Sequence, residues 1–242
     1  MSAILQLDAI TKAYGAVTVA DALSFELAEG EALGVIGPNG AGKTSMFNLV
    51  TGTVAPDSGQ IRFLGRDITG QSAAARSRAG IARSFQVPQP FTHMTVFENA
   101  MVAATQAANL SGHEAERFCL RVLADTGLLD QANKAAGSLT LLNRKRLELT
   151  RALCARPKLL LLDEIAGGLT EAECQSLIQT IKDIHGRGVS IIWIEHVVHA
   201  LLAVVERLVV IDFGRKIAEG DPKAVMDSRE VKEIYLGIEA DV

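Results

Sequence analysis

Residues 37–45 read GPNGAGKTS, and this stretch decides the fold. Two glycines, a lysine and a threonine fill the fixed positions of the pattern G-x-x-x-x-G-K-[S/T], which describes a phosphate-binding P-loop. The apolar segment EALGVIG leads into the loop, and KTSMFNLVTG follows it as a predicted helix that ends at Gly52. A strand before the loop and a helix after it are the context in which this pattern binds a nucleotide. The sequence therefore predicts a nucleotide site and not a chance glycine-rich turn.

Most positions of the loop have a predicted task at the phosphates. Backbone N–H groups of the loop and of the following helix N-terminus would surround them. Gly40 and Gly42 permit the tight turn, Lys43 would neutralise the β and γ phosphates, and the Thr44 hydroxyl would hold Mg²⁺. The predicted nucleotide-binding residues of the loop are Gly37, Pro38, Asn39, Gly40, Ala41, Gly42, Lys43, Thr44 and Ser45.

The stretch LLLLDE, residues 159–164, supplies two carboxylates at the end of a predicted buried strand. Asp163 would ligate Mg²⁺ there, directly or through water. Glu164 follows it and would polarise the water that attacks the γ phosphate. A buried strand that ends in two acids is often only structural, but a P-loop in the same chain favours the functional interpretation.

Two further polar residues stand at the ends of predicted elements. His196 comes just after the apolar strand VSIIWIE. Parallel strands present their carboxyl ends at one common edge, where ligands bind, so His196 is a candidate for contact with the γ phosphate. Gln86, in the segment SFQ, stands where the strand-rich part meets a helical part, and it is a candidate for sensing Mg²⁺ and water.

The order of patterns along the chain predicts an α/β fold. The first 70 residues read as short alternating strands and predict an antiparallel β patch. After Pro157, strand and helix patterns alternate again and predict a parallel core sheet that is covered on both faces.

Helical patterns occupy the segment between these parts, and capping boxes are predicted to begin two of its helices, at Thr95 and Ser111. We predict one domain over residues 1–242. Residues 1–86 and 158–242 form its nucleotide-binding core, and residues 87–157 form an inserted helical lobe.

The composition disfavours several classes of function. Of the 242 residues, 48% are hydrophobic and 21% are charged, and the net charge is −4, which predicts a packed protein without a basic field for nucleic acid. The run Arg144, Lys145, Arg146 is interpreted as a solvated helix face. Three cysteines far apart in sequence indicate neither a disulfide framework nor a zinc site. No apolar run approaches the ~20 residues of a membrane helix.

Taken together, these motifs resemble those of the ATP-binding cassette (ABC) ATPases over almost the whole chain. The resemblance identifies GPNGAGKTS as the Walker A loop, LLLLDE as the Walker B strand, Gln86 as the Q-loop glutamine and His196 as the switch histidine. It implies that ATP and Mg²⁺ bind here and that Tyr14, in KAYG, stacks on adenine. P-loop GTPases are disfavoured because the sequence has no N-K-x-D motif that reads the base.

A finer resemblance is to the ATPase subunits of bacterial branched-chain amino acid importers. It rests on the segments GKTSMFNLVTG, GIARSFQ, MTVFENAMVAA and IEHVVHALLAVVERLVVIDFGRKIAEGDP, and on the end EIYLG. The lipopolysaccharide-export ATPase has a similar tail, so that alternative stays open. The resemblance implies a peripheral protein at the cytoplasmic face of the inner membrane. Its partners would be transmembrane permease subunits and, indirectly, a periplasmic solute-binding protein, with no nucleic acid.

Three departures from the family pattern bear on activity. LTLLN, residues 139–143, aligns with the family's LSxGQ signature, but Leu142 stands where the pattern has its key glycine. Ile165 replaces the proline after the Walker B glutamate, and this change has no functional interpretation. Thr170 replaces the Asp or Asn of the D-loop, where it can begin the capping box TEAE of the next helix.

In this family two cassettes bind each ATP between one chain's Walker A loop and the other chain's signature. Leu142 would therefore impair the partner's nucleotide. We predict a heterodimer with a second ABC ATPase, with one competent and one impaired site, in preference to a homodimer. Three alternatives stay open. In the first, the signature loop shifts slightly and both sites work. In the others, the chain is a regulatory subunit that barely hydrolyses ATP, which the altered signature favours, or a soluble ABC protein that acts on nucleic acid or ribosomes, which the single cassette disfavours.

Overall fold

The computed structural model describes residues 2–236; Met1 and residues 237–242, which include the last residue of EIYLG, lie outside it. The strands are β1 Ala3–Tyr14, β2 Val17–Ala28, β3 Ala32–Ile36, β4 Ser58–Phe63, β5 Arg66–Asp67, β6 Ile81–Arg83, β7 Leu159–Asp163, β8 Ser190–Ile194, β9 Arg207–Asp212 and β10 Arg215–Gly220. The helices are α1 Lys43–Thr51, α2 Ala73–Ala79, α3 Val96–Gln106, α4 Gly112–Asp125, α5 Leu141–Cys154, α6 Glu171–His185, α7 Val198–Leu202, α8 Pro222–Asp227 and α9 Arg229–Leu236.

Two sheets form the strand-rich part. The first has the order β2-β1-β4-β5 and is antiparallel, as the alternation in the first 70 residues predicts. The second has the order β10-β9-β3-β8-β7-β6, in which all neighbours are parallel except the hairpin of β9 and β10 around Gly214. Both the antiparallel patch and the parallel core sheet are confirmed.

The core sheet is covered on both faces, which explains its sequence. Every residue of β3, β7 and β8 is buried. Strands that are buried on both faces read as continuous apolar runs, as LLLL does in β7. Two separate clusters of buried apolar side chains pack against the sheet. Because β3, β8 and β7 pair in parallel, their carboxyl ends lie at one edge of the sheet. The P-loop follows β3, Glu164 follows β7, and His196 is the second residue after β8.

Helices α3, α4 and α5 pack on one another around apolar clusters of their own. Cys119 and Cys154, which are far apart in sequence, face each other here as buried thiols with their Sγ atoms 4.0 Å apart. The capping box predicted at Thr95 is confirmed. The one at Ser111 is wrong: the Ser111 side chain makes no cap bond, and the carboxylate of Glu114 accepts from Arg156 at 3.1 Å and not from the Ser111 backbone.

The basic run in α5 is not a solvated face as the sequence suggested. Arg144 is exposed, but Lys145 is only 4% exposed and Arg146 is half-buried. Successive residues of a helix are turned by about 100°, so three adjacent side chains cannot all share one face. Lys145 therefore points toward the core sheet. No helix within residues 2–236 combines the length and the apolar character needed to cross a membrane.

Candidate functional site

The P-loop connects β3 to α1, as the sequence predicts. Gly40 and Gly42 have left-handed φ angles of 83° and 100°. A Cβ atom on Gly42 would lie 2.2 Å from the carbonyl oxygen of Val19 in β2, so this position has room only for glycine. The first turn of α1 closes through the N–H of Met46, which donates to the Gly42 carbonyl at 2.8 Å. Thr44 lies in this first turn, next to Lys43.

Lys43 is nearly enclosed by the loop, with 6% of its surface exposed. Its Nζ donates to the carbonyl oxygens of Gly37 at 2.7 Å and Pro38 at 3.0 Å. Burial lowers the pKa of Lys43, while the negative charges of Glu164 and Asp163 oppose that shift. The ammonium group thus lies at the loop and in the field of the two Walker B carboxylates.

Asp163 ends β7 as a buried carboxylate, 3% exposed. Its Oδ2 accepts from Nη2 of Arg83 at 2.5 Å, and Nη1 of Arg83 donates to Oδ1 of Asn48 in α1 at 2.7 Å. The guanidinium lies 5.3 Å from the ring centre of Phe47 and 5.1 Å from that of Phe85. Burial raises the pKa of Asp163, and the bond and charge of Arg83 oppose that shift.

The sequence analysis missed Arg83. Arg83 stands only three residues before Gln86, but its partner Asp163 is 80 residues away in sequence. The only signal was a basic residue at the end of a short apolar segment. Its role becomes clear from the pairing of β6 with β7, which brings Arg83 close to Asp163.

The second carboxylate oxygen of Asp163 tests whether the site fits Mg²⁺. Oδ1 is buried and has no hydrogen-bond partner in the described part of the chain. A buried oxygen without a partner is unfavourable, and a carboxylate oxygen suits a hard cation. Within residues 2–236, no group of three or more His, Cys, Asp or Glu side chains could hold a metal alone. Mg²⁺ is commonly held by one or two carboxylates together with substrate phosphates, so the residues present fit that arrangement.

Glu164 contacts both of the other polar candidates. His196 Nε2 lies 2.8 Å from its Oε1, and Gln86 Nε2 donates to its Oε2. The backbone of Glu164 is left-handed, with φ of 46°, and its N–H donates to the carbonyl of Ile194 in β8 at 2.8 Å. A residue before proline is restricted to extended conformations. Ile165, buried in the place of the family's proline, removes that restriction and so permits this backbone.

Tyr14 is not joined to this group. Tyr14, at the end of β1, is 53% exposed. The Lys12 ammonium nitrogen lies over its ring, 5.4 Å from the ring centre. Among the described residues, no hydrogen bond of the Tyr14 side chain reaches the P-loop. Its predicted contact with adenine stays a prediction.

The altered signature lies at the beginning of α5. Thr140 is the residue before the helix, with φ of −64° and ψ of 165°, and its hydroxyl makes no cap bond. Leu141 is 48% exposed and Leu142 is half-buried. The helix N-terminus and a hydroxyl are therefore present, but two leucine side chains stand beside them. The capping box predicted at Thr170 is confirmed at the start of α6.

Comparisons with known proteins agree with this geometry. A protein-family model described as ABC transporter matches residues 20–167. BraF of Pseudomonas aeruginosa, a high-affinity branched-chain amino acid transport ATP-binding protein, is 32% identical over 249 residues, which cover 97% of this chain and 98% of BraF. LptB of Acidithiobacillus ferridurans, a lipopolysaccharide export system ATP-binding protein, is 32% identical over 237 residues, which cover 98% of each chain. The crystal structure of a nucleotide-free ATP-binding cassette from an ABC transporter matches with a TM-score of 0.90 at 29% identity, over 98% of this chain and all of that one.

Proposed function

The chain belongs to the ABC transporter family, whose ATP-binding cassettes are ATPases, and from that premise we propose that it hydrolyses ATP to power the import of a branched-chain or other amino acid, or a similar small polar solute. The observation that carries hydrolysis is the Glu164 carboxylate. One of its oxygens contacts His196 at 2.8 Å and the other accepts from Gln86, so the carboxylate has a fixed direction at the edge that holds the P-loop.

In the proposed reaction each residue has one task. Lys43 and the loop N–H groups bind the phosphates, and Tyr14 contacts the adenine. Thr44, Gln86 and Asp163 would hold Mg²⁺, which would supply positive charge against the phosphates. Glu164 takes the proton of the attacking water at a carboxylate oxygen, because a positioned carboxylate is a general base. His196 orients Glu164 through Oε1 and faces the γ phosphate.

The identity of the solute needs a direct test, since BraF and LptB are equally similar to this chain at 32% identity. The segments ARSFQ and MFNLVTG resemble the importer subunits, and they support import. The experiment is to reconstitute the chain in vesicles with candidate amino acid permease subunits and a solute-binding protein from the same organism. Labelled leucine, isoleucine and valine should enter in an ATP-dependent manner. If no amino acid enters, but vesicles with lipopolysaccharide-export permeases release lipopolysaccharide when this chain and ATP are added, export is the function.

We propose that the permease contacts a groove beside Gln86. The groove, of about 340 Å³, lies between the proposed core and the proposed helical lobe, residues 87–157. Phe85 and Phe91, which border it, are 48% and 45% exposed. Large apolar side chains exposed close together indicate a protein contact, and a permease would hold the chain peripherally at the cytoplasmic face of the inner membrane.

Substitutions in the groove test this contact. Phe85→Ser with Phe91→Ser should abolish copurification with the permease and leave nucleotide binding intact. Leu129→Ser is the matched control, because Leu129 is also an exposed apolar side chain, 44% exposed, but it follows α4 and does not line the groove. Equal copurification of all three proteins would exclude this groove.

We also propose a heterodimer with one competent site. ATP on this chain would meet the partner's signature, and ATP on the partner would meet Thr140, Leu141 and Leu142. Leu142 adds a branched side chain where a glycine lets the backbone approach a phosphate. The helix N-terminus still offers N–H groups, so the second site is impaired but not abolished.

A further inference from the structure

Glu195 is a buried carboxylate to which the proposed reaction gives no task. It follows β8 and precedes His196, and it is 1% exposed. Removing an ionised carboxylate from water is unfavourable unless its oxygens are well satisfied. The partners of Glu195 therefore show what this residue holds in place.

Both oxygens of Glu195 accept hydrogen bonds from backbone N–H groups. Oε2 accepts from Ala166 at 2.9 Å. Oε1 accepts from His196 at 2.9 Å and from Val197 at 3.3 Å. Ala166 belongs to the segment that leaves β7 just after Glu164, whereas His196 and Val197 belong to the segment that leaves β8. One carboxylate thus joins the two segments that carry the 2.8 Å contact of Glu164 with His196.

A buried cation also contacts the segment that follows β7. Lys145, one turn into α5 and 4% exposed, donates from Nζ to the backbone carbonyl of Glu164 at 3.3 Å. Burial lowers the pKa of Lys145, and the charges of Glu195 and Glu164 oppose that shift. The helix that begins at the signature is therefore tied to the backbone of Glu164.

We propose that Glu195 and Lys145 are positioning residues for hydrolysis. Glu195 sets the distance between Glu164 and His196, and Lys145 fixes the Glu164 backbone to the signature helix. Neither has a task at the phosphates in the proposed reaction. A reacting group displaced by about 1 Å can lose on the order of 10²-fold in rate, so this support acts on turnover. The inference rests on the proposed roles of Glu164 and His196.

The test uses the full chain assembled with its permease and partner ATPase. Glu195→Gln keeps the shape, but its NH₂ group faces backbone donors. We expect kcat to fall by roughly 10- to 100-fold, with ATP affinity by calorimetry changed less than about twofold. Amide hydrogen exchange at Ala166 and His196 should accelerate, because their acceptor is weakened. Glu206→Gln, at an exposed glutamate, is the control and should match the unmodified chain in all three readouts.

Lys145→Met provides a second, independent variant, and it decides the matter if Glu195→Gln does not fold. It should lower kcat and spare ATP affinity, Lys145→Arg should restore part of the loss, and Lys182→Met, at an exposed lysine of α6, should have no effect. The double variant should lose less than the product of the two single losses, as for residues that share one network.

Three outcomes separate the inference from the function on which it rests. If Glu164→Gln abolishes turnover but Glu195→Gln and Lys145→Met turn over ATP like their controls, the positioning roles are wrong. The same holds if these variants lose ATP affinity and turnover in equal measure, since that indicates support of the fold alone. If Glu164→Gln itself turns over normally, the proposed role of Glu164 fails first and the positioning roles fail with it.

Discussion

The two regions that would meet ATP in a dimer differ sharply in their chemistry. At the edge of the core sheet, Lys43 lies in the field of both Walker B carboxylates, and Glu164 is held by two side chains. At the start of α5, a helix N-terminus and the Thr140 hydroxyl remain, but Leu142 stands in place of the signature glycine. In the proposed dimer the first region would bind this chain's own nucleotide and the second would contact the partner's. A defect can thus sit in one chain and act on the nucleotide of another.

The largest effect is expected at the edge of the core sheet. Glu164→Gln should keep ATP binding and lower turnover by roughly 10²–10⁴-fold, which is what a positioned general base contributes. It should also trap an ATP-bound dimer, visible by size-exclusion chromatography. Steady-state phosphate release provides the measurement, with Glu206→Gln as control. Turnover at the unmodified rate would mean that Glu164 is not the general base, and the proposed difference between the two regions would lose its main support.

A comparable loss is expected for Lys43→Ala, but here it is the affinity for MgATP that falls. The ammonium offers charged hydrogen bonds to phosphate, each contributing about 1.5–3 kcal/mol, so two of them correspond to roughly 100-fold or more in affinity. Calorimetric titration with MgATP measures this loss. Lys182→Ala, at an exposed lysine, is the control. Unchanged affinity of the Lys43 variant would contradict the P-loop assignment.

The Arg83–Asp163 pair tests whether the site at the edge of the core sheet depends on a buried ion pair. Removing one partner of a buried ion pair typically costs about 3–5 kcal/mol, so Arg83→Met should lower the free energy of unfolding by that amount. Arg215→Met breaks a pair with Asp21 whose arginine side chain is 68% exposed, and it should cost about 1 kcal/mol or less. Urea denaturation of both variants gives the comparison. Equal costs would mean that the Asp163 carboxylate does not depend on Arg83.

The contiguous motifs could be predicted from the sequence because their residues act within a few positions of one another. The P-loop, the strand LLLLDE and the strand before His196 each combine an apolar run with polar residues at its end, and the core sheet follows from them. The wrong interpretations came from local patterns that a distant residue overrides. The Glu114 half of the capping box at Ser111 is lost because Glu114 binds Arg156, and Lys145 is buried because α5 packs against the core.

The contacts that complete the candidate site span long sequence separations, so a single sequence does not reveal them. Arg83 meets Asp163 across 80 positions, and Glu195 meets Ala166 across 29. Ile165 is a second example of a feature that the sequence alone does not explain. Its departure from the family pattern had no interpretation until the left-handed backbone of Glu164 was seen beside it.

The claim that the defect falls on the partner's nucleotide is tested most directly by restoring the signature glycine. Steady-state ATPase activity is measured for the chain alone, for the chain with its partner ATPase, and for Leu142→Gly alone. Leu120→Gly is the matched control, because it makes the same change at an exposed leucine of α4, outside the signature, at a helix cost of up to ~1 kcal/mol. A dimer with one competent site predicts low ATPase activity for the chain alone and higher activity with the partner ATPase. Of the two glycine variants, only Leu142→Gly should raise the activity of the chain alone, by roughly tenfold or more, because each hydrogen-bond donor lost at a transition state lowers the rate strongly. High activity of the chain alone, unchanged by Leu142→Gly, would contradict it.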